Sequence, residues 1–119
     1  MFSPLSQALI VFIAVLHSLI AAVEMFCWKL PAVHRRMGFR LEEAHKSAPL
    51  MANQGLYNGF LAAGLFWSAT AGARGTELAG FFLGCVFIAG VFGAVTVRWT
   101  ILLVQTLPAA LALLTLALH

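Results

Sequence analysis

The chain has 119 residues, of which 62% are hydrophobic and only 9% charged. An ordinary soluble domain carries about a quarter charged residues, so this composition excludes one. The formal net charge of +3 is concentrated in one stretch, which argues for a membrane topology signal rather than for nucleic-acid binding.

The first apolar segment, about 5–27, reads LSQALIVFIAVLHSLIAAVEMFC. A membrane crossing needs roughly 20 mostly apolar residues, and this run meets that length. Its flank has no basic residue and its apolar core exceeds that of a secretory signal, so it reads as a retained span. It contains His17 and Glu24, seven residues apart. Seven residues is close to two helical turns, which sets both side chains on one stripe. A charged group deep in hydrocarbon costs on the order of 2.5–3.5 kcal/mol, so retained ones usually face a partner, a cavity or a ligand.

The stretch 28–49 is the one extended hydrophilic segment and holds Lys29, Arg35, Arg36, Arg40 and Lys46. Val33, Met37, Leu41, Ala44 and Ala48 recur at helical spacing, which predicts an amphipathic helix lying on the membrane surface. Gly38 argues against one rigid helix across the whole stretch. Three more apolar segments follow, at about 50–71, 78–97 and 99–118. The expected fold is therefore all-α: a single domain forming a bundle of four transmembrane helices. Arg74 and Arg98 are the only basic residues in the later connections. Positive-inside logic then sets both termini outside the cell inner (plasma) membrane and the first loop in the cytoplasm.

Span two opens on Asn53-Gln54-Gly55-Leu56-Tyr57-Asn58-Gly59. Asn53 with Tyr57, and Gln54 with Asn58, are i,i+4 neighbours. Gly55/Gly59, and in span three Gly80/Gly84, Ala89/Gly93 and Gly90/Ala94, have the small-xxx-small spacing that lets helices approach and could join copies into a homo-oligomer. Span four contains Gln105 and Pro108, the proline predicting a kink. Cys27 and Cys85 fall at different depths, which disfavours a disulfide between them.

At about 1.5 Å per residue, Glu24 lies about 6 Å from the cytoplasmic surface, Asn53 and Gln54 6–8 Å, Gln105 about 10 Å, Asn58 about 13 Å and His17 about 16 Å. The polar groups thus share one half of the bundle. His17 and Glu24 are the candidate general acid/base pair, each favouring the other's charged form where they approach. Trp28, Asn53, Gln54, Tyr57, Asn58 and Gln105 are the candidate substrate-binding residues. The bland alternative is that these groups only bond one another across helices, although such bonds average about 0.6 kcal/mol in membranes. No metal-ligand spacing, phosphate loop or cofactor motif occurs, so no metal and no cofactor is expected.

The run H17-x6-E24-M25-F26-x-W28 followed by N53-Q54-G55-L56-Y57-N58-G59-F60-L61-A62-A63-G64-L65 resembles the small integral membrane proteins of domain-of-unknown-function family 1304. The resemblance covers essentially the whole chain and implies four spans in about 120 residues. It implies that His17, Glu24, Trp28, Asn53, Gln54, Tyr57 and Asn58 are signature positions; Gln105 is not carried over. The family's biochemical role is unassigned. Three readings stay open: an intramembrane enzyme doing isomerase-like chemistry on a lipid-phase substrate, a proton-coupled transporter using Glu24, and a non-catalytic scaffold. The expected partners are the lipid bilayer and an apolar or lipid-like small molecule.

Overall fold

The computed structural model describes residues 2–119, and among them the only regular secondary structure is helical. In chain order the helices are α1 (Pro4–Phe26), α2 (Pro31–His34), α3 (Leu41–Thr70), α4 (Gly75–Thr96) and α5 (Leu107–Ala117). A 3₁₀ turn at Gly72–Arg74 leads into α4, and a π-helical turn at Leu102–Thr106 leads into α5. Two stretches, Pro4–Phe26 and Gly72–Thr96, are long and apolar enough to cross a membrane, and Leu102–Ala117 is a shorter apolar helix.

The expected surface helix is broken in two. Pro31 starts α2 with a preset φ, and Gly38, at φ 83°, ends that turn. The Phe39 N–H bonds the His34 carbonyl at 2.8 Å and the Gly38 N–H bonds the Arg35 carbonyl at 3.1 Å, the paired bonds of a Schellman stop. The chain then re-enters helix at Leu41 and continues through Pro49, so the second half of the predicted loop helix is the first part of α3. Pro49 removes one backbone bond from a 30-residue helix without ending it.

The kink expected at Pro108 takes the form of the π turn. The Leu107 N–H reaches back five residues to the Leu102 carbonyl. Pro108 has no N–H for the Val104 carbonyl and its ring crowds that group, which the wider turn relieves.

The chain's contacts group it into two compact units, one of residues 1–15 with 61–119 and one of residues 16–60. The first has an apolar core of Ile10, Ile13, Ala14, Leu65, Ala79, Leu83, Val86, Ala109 and Ala112. Its helices close on glycine. The Phe82 ring occupies the place of a side chain on Gly64, and the Thr106 hydroxyl does the same at Gly90. Thr106 also donates to the Phe87 carbonyl at 3.2 Å. Of the predicted small-residue faces, Gly90 and Gly93 are packed against the last helical stretch, whereas Gly80 and Gly84 have no atom within reach of an added Cβ. The second unit contains the C-terminal half of α1, the loop and the first two-thirds of α3, and with them every candidate site residue except Gln105.

Candidate functional site

The site in residues 16–60 is built on a close approach of α1 and α3. A Cβ on Gly55 would lie 2.7 Å from Met25 Cγ, 2.9 Å from the Ala21 carbonyl oxygen and 3.0 Å from Glu24 Cβ. Only glycine fits there. One helical turn further along α3 comes Asn58, and one turn beyond Ala21 on α1 comes Glu24. The contact at Gly55 therefore sets an amide opposite a carboxylate. Asn58 Nδ2 donates to Glu24 Oε1 at 2.6 Å. Asn58 is buried and Glu24 half-buried, so the carboxylate keeps some access from outside the helix pair.

His17 is fully buried on the same stripe of α1 two turns back. It is a titratable imidazole in an apolar helix, about 10 Å of helical rise from Glu24. His17 and Glu24 thus share one stripe of α1, with Asn58 of α3 set against Glu24.

The other candidates take different positions. Asn53, Gln54 and Tyr57 are exposed on the surface of α3, with the Tyr57 ring 6.1 Å from that of Phe60. The i,i+4 pairing of Gln54 with Asn58 is not what engages Asn58, whose amide goes to Glu24 instead. Gln105 lies half-buried in the π turn, within the other unit. Trp28 is buried, and its indole N–H donates to Ser47 Oγ at 2.9 Å. Ser47 in turn donates to the Glu43 carbonyl at 2.7 Å. The Trp28 ring packs on Phe39 at 5.5 Å between centroids, so this tryptophan clamps the loop to the start of α3.

Three features escape a linear reading. His34 is buried, with Nδ1–H donating to the Phe39 carbonyl at 2.8 Å, and it braces the turn ended by Gly38. Ser3, Ser6 and Thr115 form a hydroxyl chain in the first unit, Ser3 to Ser6 at 3.0 Å and Ser6 to Thr115 at 2.8 Å. Two grooves flank Phe2 in that unit. One, of about 420 Å³, is lined by Pro4, Gln7, Ser68 and Thr70, and the other, of about 100 Å³, by Ser3, Ser6, Thr76 and His119. The proline–glycine pair bounding the turn was the one local signal for the first feature. Ser6 meeting Thr115 is a long-range contact with no local signature.

Among the described residues no group of three or more His, Cys, Asp or Glu side chains could hold a metal ion. The chemistry on offer is that of a carboxyl with an amide neighbour and a separate imidazole. No curated protein and no solved structure matches the chain. Residues 11–117 match the family described as "Protein of unknown function (DUF1304)", and the chain belongs to that family.

Proposed function

We propose that the protein is a polytopic membrane protein of four spans whose Glu24–Asn58 pair, with His17, serves acid/base chemistry on a lipid-phase molecule. The observation that carries the reading is the 2.6 Å bond that Asn58 gives Glu24 where α1 and α3 close on Gly55. A carboxylate so held has a fixed orientation and retains a second oxygen for a ligand.

The membrane setting is supported by how little of the apolar surface the protein covers itself. Only 28% of the apolar window of α1 and 22% of that in Gly72–Thr96 is buried inside the protein, whereas a soluble protein would bury such helices. Leu103, Leu107, Leu111 and Leu114 form an exposed stripe along the last helical stretch, and Leu56, Phe60 and Trp67 are exposed on α3. Four apolar faces thus look outward. With five of seven basic residues in 28–49, the positive-inside rule puts that loop in the cytoplasm and both termini outside. Asn53, Gln54 and Tyr57, exposed on α3, are the groups that would orient a polar end of the molecule, and Gly80 and Gly84 leave a face open to a second copy.

The test is mass spectrometry of small molecules that co-purify in mild detergent, comparing wild type with the His17→Ala/Glu24→Gln double variant. A lipid-like compound held by the wild type and lost from an equally stable variant supports the reading. An empty wild type, or a compound retained by the variant, refutes it.

A further inference from the structure

Subtracting one stretch from the chain leaves it neutral. Lys29, Arg35, Arg36, Arg40 and Lys46 against Glu42 and Glu43 leave +3, and Arg74 and Arg98 balance Glu24 and Glu77, so the whole net charge sits in 29–46. Lys29, Arg35 and Arg36 are exposed and have no carboxylate partner among the described residues, while Arg40 shares Glu43 at 3.3 Å. Between these cations the same turn exposes large apolar side chains: Leu30, Met37, Phe39 and Leu41. A solvated loop would have no reason to present four such groups beside its charges.

The turn is also preformed. Gly38 ends it, the His34 ring ties back to the Phe39 carbonyl, and the Trp28 indole locks its base to Ser47. A preformed surface loses less freedom on binding than a floppy loop does. It starts one turn after Phe26, the last residue of α1.

We infer that residues 29–41 form a docking surface for anionic phospholipid in the adjoining leaflet. Lys29, Arg35, Arg36 and Arg40 meet the headgroup phosphates, and Leu30, Met37 and Leu41 enter the interface between them. Charge complementarity selects the occupant, and the interleaved apolar groups favour a lipid surface over a soluble anion. Each cation in reach strengthens retention roughly five-fold. This inference rests on the membrane reading above but not on the role of Glu24.

The experiment reconstitutes the full chain in vesicles of phosphatidylcholine alone or mixed with phosphatidylglycerol. Native mass spectrometry then reads the lipid retained by wild type and by the Lys29→Gln/Arg35→Gln/Arg36→Gln variant. Expected is a preference for phosphatidylglycerol of about tenfold or more, falling on added chloride and lowered to near parity in the variant. Equal retention of the two lipids by wild type, or an unchanged preference in the variant, overturns the inference. If the variant melts differently in phosphatidylcholine, a salt titration on wild type alone decides between the same two outcomes: a preference that falls with chloride supports the inference, and one that does not overturns it. Displacement of the lipid by inorganic phosphate but not by chloride at matched ionic strength would identify a soluble-anion site and also overturns it. Loss of the protein from phosphatidylcholine vesicles after an alkaline carbonate wash would instead refute the membrane reading, on which the inference depends.

Discussion

Asn58 is what makes Glu24 tolerable in an apolar helix, and the two should show their dependence in a double-mutant cycle. Glu24→Gln keeps an acceptor for the amide, whereas Asn58→Leu leaves a half-buried carboxylate without its donor. We expect the second change to cost more in thermal unfolding, with a coupling between the positions of about 1 kcal/mol. Additive effects would mean the bond contributes nothing. Glu43 tests electrostatics at a solvated site. The Arg40 backbone N–H, bonded to its Oε1 at 2.9 Å, and the Arg40 side chain hold its carboxyl below the usual carboxylate range. A carboxylate lowered in the folded state stabilises at pH above its unfolded value, and that contribution is lost as pH falls through the folded one. Relative to intrinsic exchange, the Arg40 and Ala44 amides should therefore exchange faster below pH ~4 in wild type. In Glu43→Gln, which can still reach the Arg40 N–H, the acceleration should vanish.

Between elements, closeness is decided by single glycines, and sequence spacing alone does not say which. Gly55 and Gly59 form one predicted pair, yet a Cβ at Gly55 would strike the Ala21 carbonyl oxygen at 2.9 Å, while one at Gly59 would meet Ala21 Cβ at an ordinary 4.0 Å. Gly55→Ala should destabilise by about 1–3 kcal/mol and weaken the Glu24–Asn58 bond. Gly59→Ala should be neutral or stabilising, because alanine is the better helix former by about 1 kcal/mol. Equal melting of the two variants would show that the α1–α3 contact is looser than the structure has it. The same asymmetry divides Gly90, filled by Thr106, from the open Gly80 and Gly84.

For the whole molecule the sharpest prediction is topological. A cysteine replacing Arg36 in a chain whose Cys27 and Cys85 are both serine should react with a membrane-impermeant maleimide only from the cytoplasmic side. A cysteine replacing Arg74 should react from the opposite side under the same orientation. Labelling of both from one face would overturn the four-span arrangement.

Composition alone determined that the chain is helical and apolar, because runs of about 20 hydrophobic residues leave little room for another fold. Spacing placed His17 and Glu24 on one stripe, and Gly38 spoke against one rigid helix across 28–49, since these are consequences of local geometry. Which amide would meet Glu24 was beyond the sequence: Asn53, Gln54 and Asn58 are chemically alike, and only the approach at Gly55 selects Asn58. The position of Trp28 was equally hidden, because its partner Ser47 lies 19 residues away across a chain reversal. Local rules act over a turn or two of helix; the choice among equivalent side chains is made by packing between segments, where one missing Cβ decides which backbones touch.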